Sequence, residues 1–524
     1  LVFAHTEWQP PADYASSLQA GIEVPGALLF DYAERCAVTG GGIEHVGNYG
    51  IEVGVGCADI EIAYNHITDI GAGGIRVGHF FSWETDGSGQ LTERGLQRKA
   101  AMPQGPHSRR ITVADNEIAH CGRFSPEAVG VFVGDNADNQ VIHNHIYDLF
   151  YSGISVGSVQ DFGPSQAKNN IIEYNHVHDV GQGMLSDLAG IYTCSTPGSR
   201  IAYNVVHDVV RRDYGGWGIY PDEGSHDMLI RKNLVYRCQD GALFAHHNHD
   251  ITAENNIFAL NRTAEIERGG IGGFELTCRR NLIYYLEGKA VGDYGSGNWG
   301  QNVCVFDRNL YWNASGKPVF FANKSFSEWQ AMGQDTNSLV ADPLFVDPAH
   351  GDFTLRLDSP AAQIGFESWD MSTVGPRCPS ATSQTAAPAT GPAMGQLRES
   401  AVFRGWDQGA RLFVQTVYLT GSHHWNNMQN SVKLGQPLAK QFDYNGYMCM
   451  LAQVDTYYVS TKGINETPGS EAKPLRTIQK VGIGAYEFSP AIVVPRWEMH
   501  VFELHGRSLA DNPFRDAALV GEFT

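Results

Sequence analysis

The stretches "VIHNHIYDL" at 141–149, "IEYNHVHDV" at 172–180 and "IAYNVVHDV" at 201–209 are three copies of one phrase, an asparagine set among β-branched residues. The phrase continues in both directions. Earlier copies centre on Asn65 and Asn116, later ones on Asn233, Asn256, Asn281 and Asn309. From Asn116 onward the spacing stays between 23 and 31 residues, whereas the step from Asn65 is 51 and holds a polar insertion near 81–108. A glycine-led phrase follows: "GGIRVG" at 73–78, "GVFVG" at 130–134, "GISVG" at 153–157, "GIYTC" at 190–194, "GIYPD" at 218–222 and "GALFA" at 241–245. A short repeat built of strands cannot bury its inner face alone, so successive repeats stack as coils, ~4.8 Å apart. The pattern predicts an all-β chain folded as a right-handed parallel β-helix. Asparagines at equal positions can stack in a ladder that satisfies turn amides. Leucine-rich repeats share the period, but their leucine spacing is absent.

Strands alternate their faces, so the phase is readable. One residue after the glycine come Ile75, Val131, Ile154, Ile191, Ile219 and Ala242, expected inward. Next come Arg76, Phe132, Ser155, Tyr192, Tyr220 and Leu243, expected outward. The next outward row reads Gly78, Gly134, Gly157, Cys194, Asp222 and Ala245, which leaves Asp222 a lone acid among small neighbours, like a cleft floor. The turns from Asn116, Asn175 and Asn204 to the following glycines are longer than those from Asn65 and Asn144. Longer loops wall one side of a solenoid, where function concentrates.

Composition narrows the classes. The 524 residues carry 57 acidic and 37 basic side chains, a net charge of -20. That balance argues against nucleic acid or an anionic membrane as partner. A hydrophobic share of 42% excludes global disorder. No apolar run of about 18 residues predicts a membrane span. The chain opens at Leu1 without an apolar leader, so a signal peptide is expected to have been removed or never present. Nine scattered cysteines without a CxxC pair read as buried thiols, not as disulfides or a zinc site. Residues 338–365 read as a closing cap, and the Pro/Ala/Ser/Thr-rich 378–398 as a linker.

Six phrases together resemble glycoside hydrolase family 141: "FAHTEWQPPADY" at 3–14, "HVGNYGIEVG" at 45–54, "NHVHDVGQGMLSDLAGIYT" at 175–193, "YGGWGIYPDEGS" at 214–225, "SFSEWQAMGQD" at 325–335 and "ADPLFVDP" at 341–348. The resemblance implies a pectate-lyase-like solenoid, a secreted or periplasmic location, and hydrolysis of xylan or of fucosylated pectin. The order departs from that family. Residues 455–480 and 491–516 resemble segments that normally precede "FAHTEWQPP". A circular permutation accounts for this. It predicts a β-helix catalytic domain at 1–377, a linker and unassigned segment at 378–454, and N-terminal-type coils at 455–524, of which 491–516 stack against residues 1–30. The family's inserted N-terminal β-sandwich has no counterpart between 480 and 491.

Glycoside cleavage needs two carboxyl groups, one to protonate the leaving oxygen and one to attack or activate water. Asp187 in "MLSDLAG" and Asp222 in "YPDEGS" lie in matching family motifs, in successive coils. Glu223 is the alternative to Asp222. The plain reading of such aspartates is turn capping. Tyr192, Trp217 and Tyr220 are candidate sugar platforms, and His246 and His247 candidate partners of sugar hydroxyls. Arg268 is a further candidate substrate-binding residue, with acidic partners in reach, either Asp222 or Glu223, or Glu265 and Glu267. Glu52 and Arg76 suit a structural ion pair. A metal at His246, His247 and His249 is conceivable, but no carboxylate–histidine spacing singles it out. No metal and no cofactor are expected. The expected partner is a polysaccharide or oligosaccharide. A polysaccharide lyase, or a non-catalytic glycan-binding β-helix, is the rival reading.

Overall fold

The computed structural model describes residues 19–78, 105–157, 162, 165–269, 275–292 and 299–377, with the backbone of five further strands between Phe403 and Val459. The expected stacking of 491–516 on the start of the chain lies outside the described residues. So does most of the expected linker 378–454 and of the permuted coils 455–524. Of the five strands, Phe403–Trp406, Leu412–Tyr418 and Gln453–Val459 form one antiparallel sheet.

Three long parallel sheets make a β-helix. The first runs from Gly26–Phe30 to Lys289–Val291 and the second from Ala37–Thr39 to Cys304–Asp307, ten strands each; the third runs from Gly42–Glu44 to Leu339–Val340, eleven strands. Each coil contributes one strand to each sheet. Ile75, Val131, Ile154, Ile191 and Ile219 align in register and lie in the central apolar core. The cysteines within the described residues are free thiols, all buried except the half-buried Cys36.

The nine asparagines form a continuous buried ladder. Each Nδ2 donates to the Oδ1 of the next asparagine, from Asn65 through Asn309, at 2.9–3.1 Å. The residue before each asparagine is left-handed, among them Asp115, His143, Tyr174 and Lys232, with φ between 52° and 60°. A non-glycine residue there costs roughly 1–2 kcal/mol. The ladder holds these turns, and stacked rings of His143, Tyr174 and Tyr203 cover them at 4.6 and 4.7 Å. Buried Asp335 ends the ladder, taking Asn309 Nδ2 at 3.0 Å, Tyr311 Oη at 2.8 Å and Trp329 Nε1 at 2.7 Å.

The cap differs from expectation. The solenoid's end is closed by the helix Phe326–Ala331, whose Trp329 packs on Trp299, Phe306 and Phe321. The segment after it turns alongside instead. Its hairpin Phe345–Asp347/Asp352–Leu355 covers outward apolar residues of the third sheet, including Leu234, Tyr236 and Ile257. Those side chains are apolar on their outer face and need a cover. The chain then straps back across the turns, with Glu367 on Asn255 and Lys232, Gly375 on Tyr174, and Arg377 bidentate on Asp115.

One register expectation fails. Ile219 pairs with Leu243, not with Ala242. The column Gly50, Gly74, Gly130, Gly153, Gly190 and Gly218 continues at Ala242, whose carbonyl sits 2.8 Å from where a Cβ on Gly218 would stand. Leu243 and Ala245 therefore point into the core, and Phe244 and His246 point out. The coil is displaced by one residue because Gly241 belongs to the preceding turn.

Candidate active site

Three neighbouring strands of the first sheet, Leu188–Cys194, Gly216–Asp222 and Leu243–His246, carry an outward apolar cluster of Tyr192, Trp217, Tyr220 and Phe244. Above it opens a cavity of about 600 Å³. Leu185, Ser186 and Tyr214 wall it, and they come from the two long turns. Asp187, Asp222 and Glu223 all line it.

Asp222 is not alone among small residues. It is level with Cys194, and the one-residue displacement brings His246, not Ala245, beside it. His246 Nδ1 donates to Asp222 Oδ1 at 2.6 Å, and the Tyr192 hydroxyl donates to Oδ2. Burial opposes the His246 proton. The hydrogen bond to Asp222 and the charges of Asp222, Glu223 and Asp187 outweigh it, so the imidazole lies above its usual 6.5. The Tyr192 phenol is pushed far up, by burial first and then by Asp222.

Asp187 stands just before its strand in the left-handed region, φ 60°, which aspartate tolerates better than most residues. Its amide donates to Tyr214 O at 2.9 Å, and Tyr151 Oη donates to its carbonyl at 2.7 Å. Strand spacing alone does not bring its carboxyl toward Asp222. The long turn does, and both carboxyls line one cavity together with Tyr220. Burial, followed by the charge of Asp222, raises the Asp187 carboxyl from 3.8 to about 6. Two carboxyls in one cavity, one of them protonated below pH about 6, can deliver a proton at one point and accept or attack at another.

Several expected contributors take other places. Trp217 lies within the strand, not before it, and is 1% exposed. It stacks on Phe244 at 4.1 Å and donates Nε1 to Glu267 at 2.7 Å, so it supports the cavity floor. Arg268 does not reach Asp222 or Glu223. It is level with inward Ala245 and pairs with buried Glu275 at 2.7 Å inside the solenoid. His247 sits in the turn after the strand, left-handed at φ 44°, outside the cavity lining. Glu52 and Arg76 do form a buried ion pair.

Glu127, Tyr151 and Phe244 also line the cavity and were not among the expected site residues. Phe244 was legible had the glycine column been counted through Ala242. Glu267, buried and hydrogen-bonded to Trp217 and Thr263, is a second support that the sequence left as one possible partner of Arg268.

Residues 95–270 match the family described as "Periplasmic copper-binding protein (NosD)", which is a minority of the chain. No curated protein matches. Among solved structures the chain is similar to one titled "Glycoside hydrolase", at 21% identity over 44% of this chain and 38% of that one, TM-score 0.35. It is similar to a surface adhesin of Streptococcus pneumoniae at 10% identity over 52% and 64%, TM-score 0.33. A lacto-N-biosidase from Eubacterium ramulus follows at 13% identity over 57% and 50%, TM-score 0.30. The chain thus spans less than two thirds of each. Likenesses this distant bear on no activity.

Proposed function

We propose that this cavity hydrolyses glycosidic bonds in a plant cell-wall polysaccharide outside the cytoplasm, as the resemblance to glycoside hydrolase family 141 implies, with xylan or fucosylated pectin as substrate. Asp187 is the proton donor. Asp222, held by His246 and Tyr192, is the base or nucleophile, and Glu223 stands beside it. The observation that carries the reading is that Asp187 and Asp222 line one cavity, with burial and the charge of Asp222 raising the Asp187 carboxyl to about 6. The cavity's described lining has no lysine or arginine but holds Glu127, Asp187, Asp222 and Glu223. A lyase acting on uronates needs a basic group to neutralise its substrate's carboxylate, so that lining favours hydrolysis of neutral sugars.

The test is a reducing-end assay over xylans and pectins, with ultraviolet detection of unsaturated product in parallel. Reducing ends without unsaturated product support hydrolysis. Unsaturated product identifies a lyase, and binding without turnover identifies a glycan-binding protein.

The pH profile is a separate expectation. The proton donor is in its active form below about 6 and loses its proton above that. Turnover therefore falls through pH about 6 and then by about tenfold per unit. A rate that stays flat to pH 8 removes Asp187 from the donor role.

A further inference from the structure

Four histidines meet on the outer face of the third sheet, away from the cavity on the first. His145 is level with His176, and His178 with His207, in three successive strands. His145 Nε2 lies 2.8 Å from His178 Nε2, and His176 Nε2 lies 2.9 Å from His207 Nε2. One ring nitrogen from each of His145, His176 and His178 lies within 4.8 Å of the others.

The rings' far sides settle which nitrogen is bare. His178 Nδ1 donates to Asp179 at 2.7 Å, and His207 Nδ1 donates to Asp208 at 2.6 Å. Asp208 is itself held by Arg237. A histidine whose Nδ1 proton is engaged by a carboxylate presents an Nε2 lone pair, and this arrangement accompanies metal ligation. The patch begins where the hairpin's cover stops, since Tyr236 stacks on His207 at 4.6 Å and touches Phe353 on its other side. The side chains of His178 and His207 are 16% and 12% exposed, so solvent reaches them.

We propose that His145, His176 and His178, with His207 as a fourth donor, form a binding site for one late first-row divalent ion, Cu²⁺ or Ni²⁺. At metal–nitrogen distances of about 2.0–2.1 Å, ligands at right angles stand about 2.9 Å apart and tetrahedral ones about 3.4 Å. The spacings of the pairs His145–His178 and His176–His207 match right-angled ligands, the tetragonal arrangement that Cu²⁺ and Ni²⁺ prefer. The ion ties together three coils.

The test uses the untagged full chain, freed of metal and titrated with CuCl₂ or NiCl₂. One Cu²⁺ per chain is expected to bind with a sub-micromolar Kd and to raise the melting temperature. Its electron paramagnetic resonance spectrum is expected to be axial, with at least three coupled nitrogens. His176→Val and His178→Tyr copy the residues at the same level in neighbouring coils, Val205 and Tyr147. Each is expected to weaken Cu²⁺ binding at least a hundredfold while leaving the metal-free melting temperature unchanged. Asp208→Asn is expected to weaken it tenfold or more. Absence of stoichiometric binding at micromolar Cu²⁺, fewer than three coupled nitrogens in the parent, or an unchanged Kd in folded His176→Val overturns the site and leaves hydrogen-bonded histidine pairs.

Discussion

Asp222→Asn and Asp187→Asn are each expected to fold and to lose turnover by about 10²–10⁴-fold, the usual worth of a positioned acid or base. Their effects on stability are expected to differ. Asp187 has a folded pKa of about 6 against an ordinary 3.8. A group raised in the folded state contributes stability that is full below its unfolded pKa and lost as pH rises through the folded one. At pH 7 the ionised Asp187 is therefore a burden, on the order of 3 kcal/mol at 1.36 kcal/mol per unit. Asparagine lifts it, so Asp187→Asn is expected to be inactive yet more stable than the parent at pH 7, and nearly equal to it at pH 4. Asp222→Asn leaves His246 without its anionic partner and gains no such stability. A purely turn-capping Asp187 predicts the reverse, near-normal turnover with stability unchanged or lowered. Activity assays on a hydrolysed substrate and thermal melts at pH 4 and 7 separate the two. Glu223→Gln is expected to retain most activity. If it alone is inactive, the base is Glu223 and not Asp222.

Asn175→Ala is expected to cost about 3–5 kcal/mol, because burial makes each lost partner count. The side chain is wholly buried and serves four bonds. Its Nδ2 donates to Val141 O at 2.8 Å and Asn204 Oδ1 at 3.0 Å, and its Oδ1 accepts from Asn144 N and Nδ2 at 3.0 and 2.9 Å. Alanine leaves those groups unpaired in a dry stack and removes support from the left-handed Tyr174. In a solenoid the damage is local to neighbouring coils. Urea unfolding should show a lower midpoint, with early exchange of amides between about 141 and 209. A loss below about 1 kcal/mol means that water or main chain replaces the ladder. Asn175→Asp keeps the shape but loses the Nδ2 donors, and is expected to cost a similar amount.

The asparagine ladder was legible because its signal is periodic and local. A buried amide that must meet its copy in the next coil recurs at the coil's own spacing. The left-handed residue before each asparagine was not legible. Its identity changes from Tyr174 to Lys232 to Arg280, since the turn is held by the ladder and not by the residue that occupies it. The histidine patch was half legible. "NHIYD", "NHVHD" and "NVVHD" place histidines one and three residues after the asparagine. Only paired strands show that their ring nitrogens converge.

The candidate site divides the same way. By itself the sequence determined the β-helix, its inner rows from Ile75 to Ile219, and which carboxylates sit on the walled coils. Those properties follow from repetition, which is a property of the chain. The tertiary structure decided what surrounds them. Ala242 takes a glycine's place, and that one-residue displacement puts His246 against Asp222 and turns Arg268 inward. The long turn before Leu188 brings Asp187 into the same cavity as Asp222 and Tyr220. A single residue of register reverses which face a side chain takes. No local pattern carries that information, because the backbone bonds between coils choose the register and the side chains then follow it.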